Sequence, residues 1–343
     1  MTINWNAKEA AAVVALQRGI QYVARPFAAI GDACGMTEAE VVTLAQQLLE
    51  SGDARRFGSV FDARRLGYRS ALCAMQMPRD QLARIGTQVA TIPGITHAYE
   101  RGWPAELPSD SPGAPGTQQW PNLWFTLVDH ADQFEETLAA LRAACAPYAI
   151  DELPALRRFK IDVVFDLRTR DRDERVEPRA PIKDVAEQIT LSALQKAIVA
   201  HFQGTLPIRP DFFAPLAADL GITETALLTQ LRQWQEQGII RRTAILLRHR
   251  EIGFKANGMC CWDVAPEALV EMGRRVAAFP EVTHCYERPR TDRFPFRLYA
   301  MIHTPTWEGT QTLYARITRE AGLPPGQLLL SLTEYKKTSM VFF

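Results

Sequence analysis

Lysine is scarce in this 343-residue chain: seven of its 39 basic residues are lysine and the other 32 are arginine. Long apolar runs are missing too, and none approaches the roughly 18 residues of a membrane span. The N-terminus has no basic stretch followed by an apolar core, so no secretory leader is read there. These two absences predict a cytoplasmic protein without a membrane partner. The six cysteines, Cys34, Cys73, Cys145, Cys260, Cys261 and Cys285, form no CxxC pair and read as reduced, mostly buried thiols. Net charge is also absent, 39 basic against 39 acidic residues, so no global field draws the chain to nucleic acid or membrane. There is no glycine-rich phosphate loop, and no lysine is placed for pyridoxal phosphate. What remains is an ordinary globular composition, 47% hydrophobic and 23% charged, long enough for two or more domains. Arginine grips carboxylates and phosphates with a rigid two-pronged fork, so its excess suits a ligand with many carboxylates; taken alone, genomic base composition explains it as well.

The chain contains itself twice. At an offset of 186, Phe27, Gly35, Thr37, Glu38, Gly52, Arg55, Arg56 and Gly67 fall on Phe213, Gly221, Thr223, Glu224, Gly238, Arg241, Arg242 and Gly253. One residue further out of step, Pro93, Thr96, His97, Tyr99, Glu100 and Arg101 fall on Pro280, Thr283, His284, Tyr286, Glu287 and Arg288. This is a tandem duplication of a unit of roughly 150 residues. The join is the charged, proline-punctuated stretch that begins near Arg168 and runs to about 189.

Each unit reads as two modules. Apolar residues at helical spacing follow Thr37 and Thr223, and each run stops at a glycine, Gly52 or Gly238. Three short helices and then a strand pair, from Arg55 to Phe61 or Ile239 to Leu247, predict a winged helix-turn-helix. After it come a strand (71–77), a helix opened by Pro78, strands at 95–101 and 122–128, a helix over 134–141 and a last strand at 161–165. That βαββαβ order is ferredoxin-like, and the second copy repeats it from Gly258. The predicted fold class is therefore α+β, with winged helix-turn-helix modules at 1–68 and 190–254, ferredoxin-like modules at 69–170 and 255–343, and a linker at 171–189. The halves should pair as an internal pseudo-dimer; assembly into a homo-oligomer stays open.

This arrangement resembles the Lrp/AsnC family of transcription regulators, which would make DNA the ligand. The charges oppose that. From Pro26 to Ala54 there is no Lys or Arg, against Asp32, Glu38, Glu40, Glu50 and Asp53; from Asp211 to Gly238, Arg232 stands against Asp211, Asp219, Glu224 and Glu236. Helices that read DNA must approach phosphates, and these would be repelled. No nucleic-acid partner is expected.

The most specific local signal is His-x-Tyr-x-Arg, as His97-Ala98-Tyr99-Glu100-Arg101 and His284-Cys285-Tyr286-Glu287-Arg288. Along a strand the His, Tyr and Arg share one face. A single copy reads as a packed structural histidine; two copies at matching positions point to function. Around each predicted wing lie paired arginines: Arg55, Arg56, Arg64 and Arg65 in one copy, Arg241, Arg242, Arg248 and Arg250 in the other. They read either as a solvated basic hairpin or as carboxylate clamps at the junction between modules.

The tandem unit with double-arginine wings, Leu66-Gly67-Tyr68 or its Ile-Gly-Phe counterpart, and the two HxYxR motifs resembles the siroheme decarboxylase family, with two related subunits joined head to tail. The resemblance spans nearly the whole chain apart from the linker. Two departures stand out: Thr243-Ala244 replaces Phe57-Gly58, and Val128 stands opposite His303. The resemblance implies removal of two acetate carboxyl groups of siroheme as carbon dioxide, giving 12,18-didecarboxysiroheme, with no cofactor beyond the iron tetrapyrrole substrate. It implies catalytic roles for His97, His284, Arg101, Arg288, Tyr99 and Tyr286, the wing arginines holding carboxylates, and Trp124 and His303 on the substrate. A histidine near its ordinary pKa of about 6.5 would deliver the proton that each new methyl group needs, or would ligate the substrate iron. A DNA-binding regulator and a non-catalytic tetrapyrrole carrier are the alternatives. The proline-rich stretch 102–119 reads as a lid or as a plain insertion. His130, His201 and His249 are given no role.

Overall fold

The computed structural model describes residues 5–105, 107–111, 113–114, 119–161, 182–183 (backbone only), 188–248, 254 and 256–343. Most of the 171–189 linker, Arg250 and part of the 102–119 stretch lie outside the described residues.

Capping chemistry sets the helices of the first repeat. In α1 (Ala7–Arg18) and α3 (Glu38–Glu50), Asn6 with Glu9 and Thr37 with Glu40 form reciprocal capping boxes. Between them α2 (Pro26–Cys34) starts on a proline and ends on Gly35 at φ 67°, a left-handed stop that a side chain disfavours. Then follow β1 (Ala54–Phe61), β2 (Tyr68–Met75), α4 (Arg79–Thr91), β3 (Ile95–Gly102), β4 (Leu123–His130), α5 (Phe134–Ala144), β5 (Ile150–Pro154), β6 (Arg157–Ile161) and the short β7 (Ile182–Lys183). The second repeat gives α6 (Ala193–Phe202), α7 (Phe213–Asp219), α8 (Glu224–Glu236), β8 (Ile240–Leu247), β9 (Ala256–Trp262), α9 (Leu269–Ala277), β10 (Val282–Glu287), β11 (Leu298–Thr304), α10 (Trp307–Glu320) and β12 (Gly326–Lys337). Ser192 caps α6 and Thr223 caps α8.

The predicted wing strand pair forms in a different way. Each repeat supplies one strand, and β1 pairs antiparallel with β8 across the pseudo-two-fold, Gly58 facing Ala244 and Ser59 facing Thr243. One apolar core then serves both helical modules, from Val13, Phe27 and Phe57 to Phe202, Phe213 and Trp234. Gly58 is a point of close approach: a Cβ there would strike the Gly204 carbonyl, and the Leu206 amide donates to the Phe57 carbonyl at 2.7 Å. The Phe57-Gly58 pair therefore serves packing.

The remaining strands form one sheet in the order β5-β2-β4-β3-β12-β9-β11-β10-β6-β7. Two short strands, β5 and β6, separated by Ala155–Leu156, follow α5; the strand expected at 161–165 lies, apart from Ile161, outside the described residues. These two strands stand near opposite ends of the strand order yet are joined by two residues, so the sheet must curl back on itself. Helices α4 and α5 cover one outer side and α9 and α10 the other, over separate apolar clusters. A fourth cluster lies inside the curl and draws on both repeats: Ala74, Trp124 and Leu153 meet Cys261, Phe294, Tyr299 and Leu329.

Each repeat also closes the other. β12 pairs with β9 of its own repeat through Leu330 and then with β3 of the first repeat through Lys337. In the same way the chain leaves β5, paired with β2, and enters β6, paired with β10.

Candidate active site

The first HxYxR motif lies within β3, and the second runs along β10 to Arg288, one residue past its end. Ala98 and Cys285 pack toward the helices, so His97, Tyr99 and Arg101, and likewise His284, Tyr286 and Arg288, face the inside of the curl. In each row the imidazole lies beside the tyrosine ring, tilted at 31° in the first copy and stacked in the second, and the arginine lies over the tyrosine. The His97 and Tyr99 rings lie 6.4 Å apart and Arg101 sits 5.2 Å over Tyr99; His284 and Tyr286 lie 6.1 Å apart at 22°, with Arg288 4.8 Å over Tyr286. A threonine hydroxyl meets the Nδ1 of each imidazole, Thr96 at 3.0 Å and Thr283 at 3.1 Å, which leaves Nε2 for the site. The same matched threonine on both copies orients both rings.

Cations surround both imidazoles. Burial first, then Lys337, Arg55 and Arg101 push His97 down to about 4. Burial first, then Arg241, His97, Arg242 and Arg288 push His284 down to about 3. Both rings are therefore neutral at pH 7 before any anion binds, and the expected titration near 6.5 does not hold. The influence of His97 on His284 also brings the two rows into one electrostatic neighbourhood. Both histidines keep some accessible surface although protein surrounds them.

The wing arginines divide into two groups. Arg55 and Arg241–Arg242 act on the imidazoles, Arg55 on His97 and the other two on His284. Arg56 instead donates to the Gln203 carbonyl and, at 3.2 Å, to the Ser59 carbonyl, so it fastens backbone. Arg64 is held by the buried Asp62, which also receives Arg158 and Arg241 at 3.4 Å each. Arg64 is thus committed to a protein carboxylate. Arg65 is half-buried, and its carbonyl receives the Ile189 amide at 3.0 Å. Arg248 is exposed at the end of β8, its amide donating to the Asp53 carbonyl at 2.7 Å. A groove of about 430 Å³, lined by Arg55, Arg56, Gly204, Lys337, Ser339 and Val341 among others, opens beside the His97 row.

Trp124 is not placed to meet a ligand. It is 1% exposed, donates its indole N–H to the Pro121 carbonyl at 2.7 Å and packs edge-on against Phe294 at 4.9 Å. The reason is the inner cluster, which fills the centre of the curl with aromatic rings. His303 is half-buried on the inner face, 3.4 Å from the Thr283 hydroxyl. The Tyr299 hydroxyl is buried and without a hydrogen-bond partner among the described residues, and Arg288 sits 5.8 Å over the ring that carries it.

Lys337 was missed by sequence reasoning. It faces His97 in the ladder, and Ile161 holds the corresponding place opposite His284. Only the exchange of last strands brings each residue to the other repeat's motif, and no local pattern announces it. The two rows are therefore chemically unequal, one flanked by an ammonium and the other by an aliphatic side chain.

The chain matches two family descriptions, each twice. "Siroheme decarboxylase NirDL-like HTH domain" covers residues 9–55 and 195–241, and "AsnC-like ligand binding domain" covers 65–160 and 251–336. It is 32% identical over 332 residues to the siroheme decarboxylase of Hydrogenobacter thermophilus, covering 96% of this chain and 92% of the relative. It is 41% identical over 138 residues to the siroheme decarboxylase beta subunit of Methanosarcina barkeri, covering 40% of this chain and 91% of that subunit. Among solved structures, the siroheme decarboxylase NirDL is similar with a TM-score of 0.70 at 27% identity, over 98% of this chain and 94% of that one. A second NirDL structure, in complex with an iron-uroporphyrin III analogue, is similar with a TM-score of 0.68 at 26% identity over the same shares.

Proposed function

The chain belongs to the siroheme decarboxylase family, and from that premise we propose that it acts as a carboxy-lyase removing two acetate carboxyl groups of siroheme as carbon dioxide. The product would be 12,18-didecarboxysiroheme, a step toward d-type or other haems. The observation that carries this reading is the pair of inward-facing His-Tyr-Arg rows, each ringed by cations, within one chain.

The residues have separable tasks. Arg55, Arg101, Arg241, Arg242 and Arg288 hold the substrate's carboxylates, which as anions would offset the charges that keep the imidazoles neutral. Substrate binding thereby raises the histidine pKa values and takes up protons. When an acetate leaves as carbon dioxide, the bonding pair stays on the methylene carbon, delocalised into the macrocycle. The imidazolium Nε2 proton then completes the methyl group, one proton per carboxylate removed. Tyr99 and Tyr286 keep each arginine stacked beside its imidazole. A neutral imidazole is also the form that ligates iron, so one histidine holding the substrate iron is the competing role.

The test is anaerobic incubation of the purified chain with siroheme followed by mass analysis. Loss of two carboxyl groups supports the reading. Unchanged siroheme that co-migrates with the protein would make the chain a carrier instead.

A further inference from the structure

Arg101, Ser331, Asn257 and His303 stand side by side on four neighbouring strands. Arg101 of β3 faces Ser331 of β12, and Asn257 of β9 faces His303 of β11. Ser331 and Asn257 each lie one residue beyond the last β12–β9 pair, Leu330 with Gly258. Opposed residues carry Cβ atoms about 5 Å apart, so the four form a continuous row. Alternation from Leu329, Met259 and Tyr299 of the inner cluster, and from Ala98 of the helix side, turns all four toward the inside of the curl.

Three of them are buried with unused hydrogen-bonding capacity. Arg101, Ser331 and Asn257 are 6%, 6% and 8% exposed, and Arg101 Nη1, Ser331 Oγ and Asn257 Oδ1 have no hydrogen-bond partner among the described residues. The groups acting electrostatically on Arg101 are the weak acids Tyr99, Cys261 and Cys260, with no carboxylate among them. A buried guanidinium without a counter-ion is costly, and so are orphaned polar atoms beside it. A carboxylate satisfies all three together: it accepts from the guanidinium and the hydroxyl, and from the amide once its N–H₂ end is turned inward.

We propose that Arg101, Ser331 and Asn257, with His303 at the rim, form a buried subsite for one substrate carboxylate that is retained, and that this subsite exists at one seam between the repeats only. At the other seam the corresponding positions are Arg288, Ala155, Ser70 and Val128. Arg288 there gives Nη1 to the Leu153 carbonyl, Ala155 has no side-chain donor, Ser70 is exposed and Val128, which faces it, is apolar. A pseudo-symmetric scaffold thus presents an asymmetric grip, which fixes one orientation of a macrocycle whose edges differ. That orientation decides which acetate meets His97 and which meets His284.

This inference rests on the decarboxylase reading, and two readouts keep them apart. The first is absorbance titration of the full chain with iron uroporphyrin III, an octacarboxylate of the same class. Ser331→Ala and Asn257→Ala should each bind it about tenfold more weakly, the loss of one hydrogen bond to a charged acceptor, while Ser70→Ala binds as wild type. Arg101→Met should lose the probe yet melt no lower than wild type, because it deletes an uncompensated charge. The second readout is turnover of siroheme, where Ser331→Ala and Asn257→Ala should change the ratio of mono- to didecarboxylated product. Binding within about twofold of wild type for both single variants overturns the subsite, as does a lower melting temperature for Arg101→Met. A wild-type chain that binds the probe but leaves siroheme intact overturns the enzymatic reading alone.

Discussion

Asp62 of the first repeat receives Arg241 of the second at 3.4 Å, while the same carboxylate holds Arg64 and Arg158. This knot ties the wing strand that acts on His284 to the opposite repeat. Burial alone would raise the Asp62 carboxyl, but the hydrogen bond from Arg64 and the charge of Arg241 outweigh it and hold the pKa below its ordinary value. A depressed acid contributes stability that is present above its unfolded pKa of about 3.9 and is lost as pH falls through the lower folded value. Asp62→Asn should therefore cost about 1–3 kcal/mol at neutral pH and lose less further stability on acidification than wild type. Melting curves between pH 7 and pH 3 check both effects.

The histidines carry a pH signature of opposite origin. Their folded values, about 4 and about 3, lie below the ordinary 6.5, so the unfolded chain binds more protons between these limits. Their contribution to stability is full above pH 6.5 and declines as pH falls toward 4. His97→Gln and His284→Gln should each flatten that decline by about 1–3 kcal/mol, read from denaturant unfolding at pH 7 and pH 4.5.

Binding should take up protons. If substrate carboxylates raise the imidazole pKa values, titrating iron uroporphyrin III into the chain at pH 7 in two buffers of different ionisation enthalpy will give different apparent heats. His97→Gln and His284→Gln should each reduce the difference. Equal heats in both buffers for wild type would break the proposed coupling.

Removal of either histidine should slow turnover by about 10²- to 10⁴-fold at the acetate that row serves. Because the rows are unequal, His97→Ala and His284→Ala should accumulate different monodecarboxylated products, resolved by chromatography and mass analysis. One common intermediate from both variants would contradict separate duties for the two rows.

Trp124→Ala should act on stability. It empties a site shared with Phe294 and Leu153 and should cost about 3–5 kcal/mol, with probe affinity little changed in the folded fraction.

The helical half of the molecule was largely legible because its signals are local. Thr37, Thr223, Gly35 and Gly221 stand in cap or left-handed positions, and the chemistry of a cap depends on neighbours within four residues. The acidic reading helices were legible for the same reason. Exposed positions on α3 include Glu40, Thr43, Gln46, Gln47 and Glu50, so a gel shift should fail even at low salt. The two HxYxR rows were found through duplication and strand alternation. What escaped depends on partners far apart in sequence: the cross-repeat β1–β8 pair, the strand exchange, Lys337 beside His97, and the polar row through Ser331 and Asn257. Trp124 was assigned to a ligand because an aromatic residue on a strand reads equally well as wall or as core, and only packing decides.

The exchange of last strands has a further outcome. Neither repeat finishes its own sheet, so a half made alone would display an open edge of unpaired backbone amides and carbonyls and would have to find a second half. Severing the polypeptide within residues 168–181 should accordingly leave a nicked particle that stays whole, whereas either fragment by itself should dimerise or aggregate. Covalent continuity here guarantees one of each kind of half per particle, and with it the inequality between the two His-Tyr-Arg rows.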